Sequence, residues 1–74
     1  MRTMHFTALI EKEGDGFVAL CPELDIASQG ASIEEARRML QEAVELFFEC
    51  ASEEEMGRRT ANECYIVPME CTVA

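Results

Sequence analysis

The longest regular pattern in the chain is the segment SIEEARRMLQEAVELFFECA, residues 32–51. Ser32 and Glu35 have the spacing of a capping box, in which the serine hydroxyl accepts from the Glu35 amide and the carboxylate reaches back to Ser32. We therefore predict an amphipathic helix that begins after Ser32 and packs on a sheet. Its apolar stripe, with steps of three and four residues, consists of Ile33, Ala36, Leu40, Ala43, Val44, Phe47 and Ala51.

The apolar surface of this helix is wider than one sheet covers easily. At about 100° per residue, the arc reaches roughly 200° once its flanks are included. Either the linker and terminal segments fold back over the flanks, or a second subunit covers them. The small size of the chain favours a homo-oligomer, a dimer or tetramer. The predicted interface residues are Met39, Leu46, Phe48 and Cys50 on the helix and Val18 and Leu20 on the sheet.

The end of the helix has two interpretations. Ser52-Glu53-Glu54-Glu55 is either a fresh capping box or further helix before a C-cap at Gly57. Helical structure is expected to persist to about Met56, with residues 57–62 as a linker.

Four segments have the patterns of β-strands: about 4–11, 17–21, 26–29 and 64–73. In the first, Met4, Phe6, Ala8 and Ile10 alternate with more polar residues, which predicts a half-buried strand. Residues 13–16 contain two glycines and predict a hairpin turn, and Pro22 ends the second strand. The last segment alternates in the same way but contains Pro68, which is typical of an edge strand or a bulge.

The element order predicts an α+β domain over residues 1–74, with one mostly antiparallel sheet and a single helix on one face. The order is β-β-β-α-β. A right-handed crossover through the helix places the fourth strand beside the first. If the Phe6 side of the first strand meets the helix, then Leu9, Val18 and Leu20 lie on the opposite face of the sheet.

Charge excludes several classes of partner. Fifteen acidic residues against six basic ones give a net charge of -9, without a basic patch, so we expect no direct binding to nucleic acid or anionic membrane. The N-terminus lacks the apolar core of a signal peptide, and no segment is long and apolar enough to span a bilayer. We therefore expect a cytoplasmic protein.

The sequence also offers little for catalysis or metal binding. Cys21, Cys50, Cys64 and Cys71 form no Cys-x-x-Cys pair, so we expect reduced, buried thiols. His5 is expected to be a half-exposed strand residue without a metal or catalytic role. The only two aspartates, Asp15 and Asp25, fall in separate predicted turns, whereas two-metal nuclease chemistry needs converging carboxylates. We predict neither enzymatic activity nor a cofactor.

An ordered set of short motifs resembles a known family. The motifs are GDGFVALCPEL at residues 14–24, ASQG at 27–30, SIEEA at 32–36 and Glu42-Ala43. Together they are similar to the HicB-like antitoxin domain of bacterial and archaeal toxin–antitoxin pairs. The resemblance covers roughly residues 4–50 and implies a partial ribonuclease H-like fold.

The resemblance also implies a function. Such domains oligomerise and neutralise HicA, a small basic ribonuclease toxin that cleaves messenger RNA. Antitoxins of this family usually continue into an operator-binding domain, whereas this sequence ends at Ala74, so operator binding is not carried over. A second departure is Asp25-Ile26, where many members have Pro-Gly.

An acidic helix face is the surface expected to meet such a toxin, since negative charge attracts and steers a basic partner. Its residues are Glu34, Glu42, Glu45 and Glu49. Outward glutamates are also found on any soluble helix. The alternative is a free-standing oligomeric binding module of the same fold, without a toxin partner.

Overall fold

The computed structural model describes residues 3–74 and confirms an α+β fold with the predicted order of three strands followed by a helix. A second helix follows the first. The elements are β1 (Leu9–Glu13), β2 (Gly16–Cys21), β3 (Ile26–Gly30), α1 (Ile33–Cys50) and α2 (Glu53–Thr60).

The three strands form one antiparallel sheet in the order β1-β2-β3. The hairpin between β1 and β2 places Gly14 at a φ of 60°, which glycine adopts without steric cost. The prediction that β1 starts at Met4 is wrong, since the strand starts at Leu9, opposite Leu20. Pro22 explains the difference, because β2 ends before it and residues 4–8 have no strand to pair with.

The core lies between α1 and the inner face of the sheet. Phe6 and Ile10 pack against this core, which confirms the predicted inner face of the first segment. On β2, the buried residues Ala19 and Cys21 alternate with the half-buried Val18 and Leu20. The buried residues are Ala19, Cys21, Leu24, Ala36, Leu40 and Val44.

The N-terminus of α1 confirms most of the predicted capping box. The Glu35 amide donates to the Ser32 hydroxyl oxygen at 3.1 Å. The Glu35 carboxylate reaches one residue further back than predicted and accepts from the Ala31 amide at 2.7 Å. Both contacts satisfy amides that a helix start leaves without partners.

The interpretation of Ser52 as a fresh capping residue is the correct one. Helix α1 ends at Cys50, and Ala51 is extended. The Ser52 hydroxyl then accepts from the Glu55 amide at 3.1 Å and opens α2, which continues to Thr60. The predicted linker is therefore wrong for residues 57–60, which are helical. Arg58 and Arg59 lie in the last turn of α2, where cations interact favourably with the helix dipole.

The predicted fourth strand is absent: residues 64–73, which we call the tail, pair with no strand in the part of the chain that the structure describes. Because α2 takes up most of the predicted linker, only residues 61–63 remain to turn the chain back. The molecule measures 49 × 28 × 19 Å, with a radius of gyration of 14.4 Å. A compact chain of this length would have about 11 Å.

Arg59 fixes α2 against the turn between β2 and β3. Its guanidinium donates to the carbonyl oxygens of Leu24 at 2.6 Å and Asp25 at 3.4 Å. It also lies 5.5 Å from the ring centroid of Phe47, within cation–π range. Asp25 has a φ of 55°, whereas a proline is restricted to a φ near −65°, so this turn differs from a Pro-Gly turn.

Gly30 sets the distance between β3 and α1. A Cβ added there would lie 2.6 Å from the Ala36 nitrogen and 2.8 Å from the Glu35 carbonyl carbon. Since both are backbone atoms, Gly30→Ala should displace the helix and lower the free energy of unfolding by about 1–3 kcal/mol. Urea unfolding followed by circular dichroism measures this.

Gly57→Ala is the matched control, because a Cβ at Gly57 meets nothing within 4 Å and the residue lies inside α2. We expect this variant to be neutral or more stable by up to about 1 kcal/mol. Equal effects of the two substitutions would contradict the close packing at Gly30.

Arg59→Lys tests the attachment of α2. Both hydrogen bonds of Arg59 come from one guanidinium nitrogen, Nη1. A lysine side chain is shorter and lacks the planar guanidinium that lies over Phe47, so the substitution should weaken docking of α2 by about 1–2 kcal/mol. Amide hydrogen exchange over residues 53–60 should accelerate in this variant, whereas Arg58→Lys should leave it unchanged because Arg58 is exposed. Unchanged exchange in both variants would contradict this attachment.

Candidate binding surfaces

The predicted acidic face lies on the side of α1 that points away from the core. Glu34, Glu42, Glu45 and Glu49 are all exposed and fall within an arc of about 80°. The first of them is paired, since Arg37 donates to Glu34 at 2.6 Å. That hydrogen bond and the charge of Arg37 lower the pKa of Glu34, but the pair is exposed and adds little stability.

The uninterrupted part of the acidic face is its C-terminal half. Arg37 and Arg38 lie near its N-terminal end. Beyond them, Glu42, Glu45 and Glu49 present carboxylates to solvent, and only Glu45 is bonded to a side chain, accepting from Gln41 at 3.4 Å. Exposed carboxylates on one side of a helix can accept from lysine or arginine side chains of a partner.

The six predicted oligomer-interface residues separate into three places. Met39 and Leu46 are 38% and 57% exposed and, with the exposed Cys50, form an apolar flank of α1. Phe48 is on the other side of the helix, half-buried, with its ring stacked on Phe6 at 5.9 Å between centroids. Its own chain therefore covers part of Phe48. The remaining two, Val18 and Leu20, are half-buried in the sheet.

An open groove of about 1010 Å³ lies between residues 3–8 and α1. Its lining includes Phe6, Leu40, Val44 and Phe48, with Arg37 and Glu45 among its polar residues. Sequence reasoning missed this groove because it assigned the position beside the first strand to a fourth strand. No sequence signal predicts the groove, because it forms where two distant segments meet.

Glu23 holds residues 3–8 in position along the groove. Its carboxylate accepts from the Thr7 hydroxyl at 2.6 Å, from the Thr7 amide at 3.2 Å and from the Cys21 thiol at 3.5 Å. Burial raises the pKa of Glu23, but hydrogen bonds from Thr7, from its own amide and from Cys21 outweigh burial, so its pKa lies below the ordinary value. Burial also raises the pKa of the Cys21 thiol, which keeps it protonated.

The residues considered for chemistry do not converge. Asp15 and Asp25 lie in turns at opposite ends of β2, which at about 3.3 Å per residue separates them by roughly 20 Å. His5 is exposed in the segment before β1. Across residues 3–74, no group of three or more His, Cys, Asp or Glu side chains is arranged to hold a metal ion.

The prediction that the cysteines are buried is only partly correct. All four thiols are free; Cys21 is buried and Cys64 is half-buried. Cys50 and Cys71 are exposed, contrary to the prediction. The reason is that Cys50 lies on the uncovered flank of α1 and Cys71 in the tail, which packs on no strand.

The fold and these surfaces define a small two-layer α+β protein with an acidic helix face, an apolar groove and an unpaired tail. The chain is 36% identical over 72 residues to a UPF0150 protein of Helicobacter pylori (strain J99 / ATCC 700824), covering 96% of this chain and 100% of the relative. The chain belongs to the UPF0150 family.

Two further comparisons gave no match: no family model and no solved structure matches the chain. Neither helix within residues 3–74 is long and apolar enough to cross a membrane.

The contacts of Glu23 predict a pH-dependent stability. Because the folded pKa lies below the unfolded one, the stabilisation is complete at neutral pH and is lost as the pH falls below the ordinary value of about 4.3 and through the folded pKa. Glu23→Gln should therefore be less stable than the native chain at pH 7, with the deficit shrinking towards pH 3. Urea unfolding at several pH values measures the difference.

Glu42→Gln removes one negative charge from an exposed position on α1 and is the control for net charge. A Glu23→Gln deficit of equal size at pH 7 and pH 3 would contradict the role of the carboxylate in holding residues 3–8.

Proposed function

We propose that this protein is a non-catalytic, HicB-like antitoxin-type protein that binds and masks a small basic ribonuclease toxin similar to HicA. The observation that carries the proposal is the exposed run of Glu42, Glu45 and Glu49 on the outer side of α1. The motif resemblance over residues 4–50 supports it, and so does the three-strand-plus-helix order that this resemblance implies.

The electrostatics suit such a partner. A chain with a net charge of -9 attracts a basic protein over long range and raises its association rate. Carboxylates on a helix that is capped and packed on the sheet are held at fixed spacing, so less side-chain and backbone order must be gained on binding. The toxin would be masked by stoichiometric binding in the cytoplasm, where messenger RNA is cleaved.

The absence of catalysis is part of the proposal and rests on the separation of the aspartates. Ribonuclease H chemistry uses carboxylates that converge on two metal ions. Asp15 and Asp25 lie at opposite ends of β2, so they cannot share a metal pair in this arrangement.

A second candidate function is a free-standing oligomeric binding module of HicB-like fold. The observation that favours it is the amount of apolar surface left exposed, since Leu46, Val67 and Met69 are 57%, 73% and 85% exposed. Exposed apolar residues in such number indicate a binding surface that needs no toxin. A genome neighbourhood without a small basic reading frame would favour this candidate.

The toxin proposal predicts which charges matter. A variant with Glu42, Glu45 and Glu49 changed to Gln should bind the small basic protein encoded beside it about tenfold more weakly at low salt, because three attractive pairs are lost. Calorimetric titration measures the affinity. The variant should also relieve less of the growth arrest when the two are co-expressed.

The control variant changes Glu11 and Glu13 to Gln and Asp15 to Asn. It removes the same number of charges at the β1–β2 hairpin and should change the affinity by less than about twofold. Failure of the native chain to bind the neighbouring protein or to relieve growth arrest would reject the antitoxin role. Equal loss in both variants would reject α1 as the binding surface.

A further inference from the structure

The tail has the residue composition of a buried strand, but its side chains are exposed. One side of its alternating pattern is apolar, and Tyr65, Val67, Met69 and Val73 on that side are 76%, 73%, 85% and 85% exposed. In a chain with a net charge of -9, residues 64–74 contain only one charged residue, Glu70. Low charge and exposed apolar and aromatic residues are typical of the core of a protein interface.

The backbone of the tail can pair along one side only. In an extended strand, the amides of alternate residues point to the same edge. Pro68 has no amide hydrogen, so the edge that uses even-numbered residues lacks a donor in its middle. The odd-numbered residues from Tyr65 to Val73 keep all their donors. The tail is therefore suited to lie at the outside of a sheet, with one neighbour.

The body of the same protein lacks a strand of this kind. Strand β1 is the outer strand of the sheet, paired only with β2. The open groove lies between α1 and the residues leading into β1, and its apolar lining includes Leu40, Val44 and Phe48. The chain thus contains a tail with a strand-like pattern but no pairing partner, and a sheet whose outer strand β1 has a free edge next to the residues that line the groove.

The tail of the same copy does not fill the groove, since no tail residue contributes to the groove lining. Arg59 fixes the end of α2 to the turn at Leu24, and residues 61–63 then lead into a tail whose residues 65–74 are all exposed. A second copy offers the same open edge and the same groove.

We propose that residues 64–73 of each protomer add as a strand to the β1 edge of a second copy, with the odd-numbered side chains packed into the groove under α1. The exchange is reciprocal, so a two-fold dimer fills both grooves and covers both tails. It places the interface on the tail and the groove, rather than on the flank formed by Met39, Leu46 and Cys50.

The first test compares two proline substitutions in the full chain. Val67→Pro removes a donor from the pairing edge and a side chain from the groove, and should raise the dimer dissociation constant at least about tenfold. Ile66→Pro removes a donor from the edge that Pro68 already interrupts, and its side chain faces outward. It should change the dissociation constant by less than about threefold.

Sedimentation equilibrium of the native chain should give twice the monomer mass of 8.3 kDa. Because each protomer carries a charge of -9, added salt should strengthen the dimer by screening repulsion. Both variants should keep the body folded, because the tail pairs with no strand of its own copy, and circular dichroism checks this. A monomeric native chain, or equal effects of the two prolines, would overturn the proposal.

A mixed-label experiment identifies which copy supplies the tail. Dimers are formed from isotope-labelled and unlabelled protein, and nuclear Overhauser effects are recorded only between unlike copies. Contacts from the Val67 and Met69 methyl groups to the Phe48 ring across copies would support the exchange. The same contacts within one copy, or contacts across copies only at Met39 and Leu46, would overturn it.

Discussion

The close approach of α1 to β3 is the contact on which the rest of the structure depends. Gly30 lets the backbone of β3 lie against the first turn of α1, where a Cβ would come within 2.6 Å of the Ala36 nitrogen. Ala36 and Ala19 are fully buried, so small side chains maintain this spacing further into the core. With the helix set over β3, its stripe through Leu40 and Val44 covers the inner face of the sheet, and the space between α1 and residues 3–8 is left as a groove.

Much of the fold could be predicted from local patterns. The cap at Ser32, the glycine turn before β2 and the alternation along β2 are each decided by neighbouring residues, and each is present in the structure. The pattern at Ser52 left two interpretations, and the structure shows the capping one. The fourth strand could not be predicted in the same way. Its alternation shows only that residues 64–73 suit a sheet. The position of the tail depends on α2, which replaces the predicted linker, and on the contacts of Arg59. The partners of Arg59, Leu24 and Asp25, are more than thirty residues away in the sequence.

The candidate surfaces also differ in whether local sequence or distant contacts determine them. The acidic face follows from helical periodicity alone, so its position was predictable, although the pairing of Glu34 with Arg37 reduces its N-terminal part. The groove and the contacts of Glu23 with Thr7 depend on how two distant segments meet, and no short motif encodes them. The two surfaces are neighbours on α1 and share Glu45. Charge-driven binding of a basic partner and apolar pairing of two copies would respond to salt in opposite directions.

Pro68 has a consequence for colloidal behaviour. An exposed apolar strand with donors along both edges can template further strands and grow into open-ended fibres. Because Pro68 interrupts one edge of residues 64–73, a strand that joins a neighbour along its other edge offers a poor site for the next molecule. In the proposed dimer, Pro68 would therefore limit assembly to a closed pair and oppose further growth into aggregates.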